Sequence, residues 1–575
     1  MSMKKIVAFG VVAIVAIALF YYVRSDYNRS INEEAAITGE ENIPVVIVPH
    51  FNFAEEERHK VLSDVESRVK PKAIVLVSVN HFGTGNSEII TTQKNWQVKG
   101  GEIHSEKNLE ENLVASGVAV DDEMAFVNEH GITNILSDIE DIFSTIPIVP
   151  IIIKDTTSRE KIDQLADWVD TECSNCLTIA SVDFSHYQPS ALAKVHDQFS
   201  IQALSNLDHD KIWLSETDSP QTLYLSAKIA GRNNTKNFHL VYNNNSGEAN
   251  KKDDAETTSV VLGYYSDKNP EAIVEPSTSF VIAGDAMFDR NVWHNYQAKG
   301  LNAIFDNFGT RVFRGADLAL LNLEGPISST EIDDDWQSGS MVFNFPPATT
   351  STLKYLNINA VSLANNHTAN AGSIGLSNTK AVLSSAGIKY FGKPYGYDES
   401  SMIRIEGVIP LSVIGIMTLS DFDESALEAK ISVEKAEGRT VIVFPHWGTE
   451  YAPKHSASQK SMAKEWIAAG ADIIVGSHPH VTQDFEIIDG KPVVYSLGNF
   501  VFDQFFSTET QEGLVLAGVI TKDKITLSFL PTKEKLVRPE FMTGSVKTGK
   551  IKSIFDIDFE DGFFKVSSDT IEIAR

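Results

Sequence analysis

The chain predicts an α/β fold in two layered units, on three observations. Short runs of β-branched residues alternate with amphipathic stretches, the pattern of strands and helices that stack in layers. The runs are continuous rather than alternating, as in parallel strands buried on both faces. Many of them stop at a side chain able to ligate a metal, which is where open α/β sheets build their sites. The clearest stretch, 441–503, reads VIVFPHWGTEY, SASQKSMAKEWIAAG, DIIVGSHPHVTQ and PVVYSLGNFVFD. Run 441–444 leads to His446, run 473–475 to His478 and His480, and run 493–497 to Asn499. Between the first two, Ser456 and Gln459 are spaced as a capping box and Gly470 as a helix stop. Both strand ends of this strand–helix–strand unit should open on one side of a sheet, bringing three histidines together as neutral nitrogen ligands.

Length and charge bound the rest. At 575 residues the chain exceeds one ordinary domain. A net charge of −28 argues against nucleic acid as a partner, although a metal pocket attracts anions locally. Lys4 and Lys5 precede an uncharged stretch, 6–23, closed by Arg24. Eighteen residues at about 1.5 Å each span roughly 27 Å, close to a bilayer core. The Tyr21-Tyr22 end suits an interfacial anchor, so residues 1–24 read as an uncleaved signal anchor in preference to the alternative, a cleaved signal peptide. The N-terminus is then cytoplasmic and the bulk extracytoplasmic. Cys173 and Cys176, the only two cysteines, make either a local disulfide clip or two free thiols.

Residues 25–42 are a polar tether, and a first α/β domain occupies 43–266. Its apolar runs end at Pro49-His50, at Asn80-His81 and at Asp183-Phe184-Ser185-His186, with amphipathic stretches at 55–69 and 159–169. PVVIVPH, LVSVNH, NEHGI, VPIII and SVDFSHY, in that order, resemble the Memo family, including AmmeMemoRadiSam system protein B. That resemblance implies an extradiol-dioxygenase-like fold and a pocket at His50, His81, Asp183 and His186, with Glu129 and His130 nearby. His50, His81 and His186 stand as ligands for a further metal, iron, copper or zinc. The family commonly carries a cysteine later on, where this chain reads ETDSPQT (216–222).

A Pro-containing linker, 267–278, leads to a second domain over 279–575. GDAMFDR, NLEGP, ANNHTANAG, HWGTEY, GSHPHV and SLGNF together resemble the CapA family of capsule and poly-γ-glutamate synthesis proteins. The family is similar to calcineurin-like metallophosphoesterases, which implies an α/β/β/α sandwich and one or two divalent ions (Mn, Fe, Zn or Mg). By that resemblance Asp285 ligates a first metal and Glu324 bridges both. Asn366, His446 and His478 hold the second, and His480 returns to the first. His367 is the implied proton donor to a leaving oxygen and Arg290 the implied partner of a phosphate or carboxylate. Two departures stand out: Met287 replaces the histidine of the phosphoesterase Asp-x-His, and Asn370 replaces an aspartate.

The reading is a membrane-anchored, metal-dependent hydrolase-like factor for an anionic surface polymer, acting on a phosphoester and accompanied by other synthesis or export subunits. Two alternatives stand beside it: a scaffold that binds polymer in both pockets without turnover, and an oxygen-dependent enzyme in the first domain.

Overall fold

The computed structural model describes residues 41–251, 256–329, 341–555, 564–567 and 569–575. The proposed anchor, 6–23, lies outside them. Among the described residues no helix is long and apolar enough to cross a membrane.

In the first domain four parallel strands form the centre of one sheet, in spatial order Val45–Val48, Cys176–Ser181, Ala73–Val79 and Ile148–Ile153. Antiparallel strands Thr257–Ser266 and Asn237–Asn245 extend one edge. Successive side chains of a strand face opposite sides. Val45, Val75 and Val77 pack under helices Arg159–Glu172 and Pro220–Arg232. Val46, Ile74 and Leu76 pack under helices Glu55–Arg68 and Leu136–Phe143. Both faces are therefore apolar, which is why these runs showed no alternation. Cys173 and Cys176 form a disulfide beside this sheet.

The second domain stacks two mixed sheets. In the larger, Ser277–Ala286, Leu318–Leu323 and Ala360–Ser362 run parallel; in the smaller, Leu411–Met417, Thr440–His446 and Ile473–Val475 do. Phe280, Ile282 and Leu320 of one sheet meet Val413, Ile442 and Phe444 of the other. Helices Ala348–Tyr355 and Gly372–Ser385 cover the outer face of the first sheet, and Glu424–Ala436 and Ala457–Ala469 that of the second. The architecture is the α/β/β/α sandwich. Ser456 and Gln459 form the reciprocal capping box, and Gly470 closes the helix at φ 122°.

One boundary differs from expectation. The strand is Lys491–Val494, and Asn499 begins a separate strand, Asn499–Val501, paired in parallel with Ser277–Ala286 of the other sheet. The chain turns at Gly498, φ 67°, whose carbonyl passes so close to Gly284 that a Cβ there would lie 1.9 Å away.

The two domains share a core. Helix Ser190–Ser205 of the first sends Ala191, Leu192 and Val195 into the cluster that holds Val281 and Phe313 of the second. Segment 310–314 answers with polar contacts: Arg314 donates to the carbonyls of Ser215 (2.9 Å) and Trp213 (2.8 Å), and Arg311 pairs with buried Glu216 at 3.1 Å.

Candidate metal centre

Asp285, Glu324, Asn366, His446, His478 and His480 all sit at or just beyond the carboxyl ends of parallel strands in the two facing sheets. Stacking the sheets brings those ends together. Ligand atoms of Asp285, Glu324 and His446 lie within 4.8 Å of one another, as do those of Glu450, His478 and His480. His480 links the groups, 3.5 Å from both Asp285 Oδ2 and Glu324 Oε1. Asn366 Oδ1 faces His446 Nε2 at 2.8 Å, so it joins the first group.

Partners behind the ligands set their orientation, as metal sites require. Asn499 Nδ2 donates to Gln504 and to the Thr510 carbonyl, which leaves its Oδ1 to accept from His480 Nδ1 at 3.0 Å. His480 therefore turns Nε2 toward Glu324, and Asn499 steers a ligand rather than serving as one. Ser477 Oγ holds His446 Nδ1 at 3.0 Å, and Asn322 bridges Asp285 and Glu324.

The donor set fits a cation. Glu324 Oε1 and His478 Nδ1 are buried without a hydrogen-bond partner among the described residues. Such atoms are costly to bury unless a partner beyond the protein's own polar groups satisfies them. Burial holds His446 well below its ordinary pKa, His478 at about 4 and His480 at about 3, so all three are neutral ligands near pH 7. Burial and the neighbouring Asp285 push Glu324 upward, a penalty that a divalent ion between the carboxylates would relieve. His478 (φ 99°) and His480 (φ 57°) occupy left-handed backbone, strain that clusters at functional sites.

The groups expected to act on substrate lie beside this centre. His367 stacks on Phe343 at 4.2 Å, and its Nδ1 donates to Asn370 Oδ1 at 2.9 Å. The Phe343 N–H donates to the same oxygen, which fixes the amide's orientation. Arg290 packs over Phe343 and is engaged by Asp503 through Nε (3.1 Å) and Nη2. Its carboxylate partner is thus supplied by the protein, where the sequence suggested a substrate anion.

In the first domain His50, His81 and Asp183 follow three adjacent parallel strands. His50 Nε2 lies 3.2 Å from Asp183 Oδ2 and 3.2 Å from Asp218 Oδ2, and His81 Nε2 lies 3.6 Å from the same Asp218 oxygen. Glu129 Oε1 holds His81 Nδ1 at 2.5 Å, and the His130 ring lies 3.8 Å from that of His81. Burial opposes charge on His81, yet Asp218 and Glu129 raise its pKa to about 9. Ligand atoms of His50, His81 and His130 converge, as do those of His50, Asp183 and Asp218; His186 joins neither group, and burial lowers it to about 4.

Residues 279–504 match the family described as bacterial capsule synthesis protein PGA_cap, and residues 23–256 match the Memo-like protein family. The chain joins a Memo-like half to a CapA-like half. It is 29% identical to PGA biosynthesis protein CapA of Bacillus subtilis, over 42% of its own length and 66% of that protein's. Identity with capsule biosynthesis protein CapA of Bacillus anthracis is 25%, over 51% and 77%. A MEMO1 family protein of Caldivirga maquilingensis is 26% identical, over 29% and 61%. The chain thus spans a little under two thirds of the first and third of these relatives.

In the CapA-like half the two departures have visible consequences. Met287 is buried with its Sδ accepting from the Asp289 N–H at 3.0 Å, and Asn370 keeps an orienting hydrogen bond on His367 while bringing no charge. In the Memo-like half the stretch that lacks the cysteine supplies Asp218 between His50 and His81. Sequence reasoning passed over Asp218, Glu450 and Asp503. Asp218 had a signal, lying in the stretch already marked as the departure.

Proposed function

We propose that this chain is a membrane-anchored, extracytoplasmic CapA-type factor in making or exporting an anionic capsule or poly-γ-glutamate polymer, with a metal-dependent hydrolase centre in its CapA-like half. The polymer and the other synthesis or export subunits as partners are inferred from the relatives' names; the anchor and the location rest on the sequence of 6–23. The observation that carries the hydrolase reading is the pair of buried ligand atoms without a hydrogen-bond partner among the described residues, Glu324 Oε1 and His478 Nδ1, one in each of the two groups of oxygen and nitrogen donors. Divalent ions held there would supply electrophilic stabilisation to a phosphoryl group. His367 would hand a proton to the leaving oxygen; burial keeps it neutral without substrate, and an arriving phosphate dianion would raise its proton affinity. Arg290, fixed by Asp503, would place its positive charge at the rim of the centre.

The test is the metal content of the purified full chain beside His478→Ala and His480→Ala. The expected result is about two divalent ions, as in two-metal hydrolases, reduced in both variants, with phosphoesterase turnover lost in both. Full turnover in both variants would sink the mechanism.

A second reading has its own observations. Met287 and Asn370 remove two expected groups, and Asp503 occupies Arg290. These favour a binding scaffold, and complementation of a polymer-deficient strain by the histidine variants would select it.

A further inference from the structure

The phosphoesterase pattern asks for a histidine at 287, and Met287 turns its sulfur to a backbone N–H instead. One protein ligand is therefore unaccounted for on the His480 side of the centre. We propose that Glu450 supplies it, converging with His478 and His480 on one divalent ion, a grouping that moves His478 from the ion of His446, where the family resemblance put it, to that of His480. This rests on the metal-centre reading above and adds a residue to which neither the sequence nor the comparisons gave a role.

Three observations support the assignment. Ligand atoms of Glu450, His478 and His480 lie within 4.8 Å of one another, the span of donors around one ion. The backbone enforces that placement: Tyr451 donates its N–H to the Pro479 carbonyl at 2.8 Å, which staples the loop carrying Glu450 onto the turn carrying both histidines. Finally, His478 Nδ1 is buried and has no hydrogen-bond partner, so it needs a cation or a donor that the described residues do not provide.

Charge arithmetic points the same way. Asp285 and Glu324 bring two negative charges against the four positive charges of two divalent ions. Glu450 makes three, leaving a centre still positive enough to draw an anion, yet less costly to fill. A carboxylate in place of an imidazole also hardens the site toward Mn²⁺ relative to Zn²⁺.

The experiment is calorimetric titration of the metal-free full chain with Mn²⁺, and separately with Zn²⁺, for wild type, Glu450→Gln, Glu450→Asp and Glu324→Gln. Far-ultraviolet circular dichroism and a urea midpoint for each variant check that it folds. The expected result is that Glu450→Gln weakens one of the ions by more than about 100-fold, beyond the 10–100-fold cost of losing a supporting hydrogen bond. Glu450→Asp should recover part of the loss, and Mn²⁺ should suffer more than Zn²⁺. If Glu450→Gln titrates like wild type while Glu324→Gln loses an ion, the assignment of Glu450 is wrong and the centre stands. If wild type takes up neither metal, the centre itself is wrong and Glu450 falls with it.

Discussion

Gly284 and Gly498 decide whether the centre can form. The strand that delivers Asp285 and the turn that delivers Asn499 touch through these two residues, and a methyl group on Gly284 would lie 1.9 Å from the Gly498 carbonyl oxygen. The obstacle is backbone, which has no rotamer to escape into. Gly284→Ala should therefore destabilise the chain by about 3 kcal/mol, the upper range for an overpacked core. Gly549 is the control: it lies in helix Gly544–Ile554 with open space around it, and alanine there should stabilise by up to about 1 kcal/mol. Urea midpoints of the two variants should move in opposite directions, and a shared direction would refute the steric argument. Residues such as His446 and Glu324 were legible from sequence because an apolar run fixes where a strand ends. Glu450, Asp503 and Asp218 were not, because loops place them, and loop geometry depends on contacts distant in the chain such as Tyr451 with Pro479.

Among the elements, helix Ala457–Ala469 was legible in full, since its start and stop are local chemistry. Ser456 Oγ accepts from Gln459 N at 3.2 Å, and Gln459 Oε1 accepts from Ser456 N at 2.8 Å. The helix buries Trp466 against Trp447, the residue that follows His446, with ring centroids 5.4 Å apart. Ser456→Ala should cost about 1 kcal/mol locally. Hydrogen exchange read over 457–460 should then accelerate about fivefold, that energy expressed as an opening equilibrium. Unchanged exchange would mean that Trp466 packing alone secures the first turn. The short strand Asn499–Val501 was the opposite case. Nothing in 493–501 announces that the chain leaves one sheet for the other, because the partner strand lies more than two hundred residues earlier. The local apolar run gives a strand within 493–497, while the separate strand at Asn499–Val501 and its neighbour are tertiary facts.

At the scale of the whole molecule, the sequence divided the chain at 267–278, but it carried no sign that helix Ser190–Ser205 would enter the second domain's core. His196 on that helix records the junction. It is wholly buried; Nε2 donates to the Val312 carbonyl of the second domain at 3.0 Å, and Nδ1 lies 3.0 Å from Ser185 Oγ. Burial lowers its pKa to about 4, against 6.5 for an exposed histidine. The folded state therefore refuses a proton that the unfolded chain accepts below pH 6.5. The stability this neutral group contributes is complete above pH 6.5 and is lost as the pH falls toward 4. Each pH unit in that window costs about 1.4 kcal/mol, so the step from pH 7 to pH 5 costs roughly 2 kcal/mol through His196 alone. Glutamine at 196 does not titrate and can still donate to Val312. In chelator-treated protein, His196→Gln should lose roughly 2 kcal/mol less than wild type between pH 7 and pH 5, read from urea unfolding at each pH. The carboxylates and remaining histidines titrate alike in both proteins and cancel in the comparison. An identical acid loss in the two would mean that the junction opens and hydrates His196 before the domains unfold, so that the shared core does not bind the Memo-like and CapA-like halves into one cooperative unit.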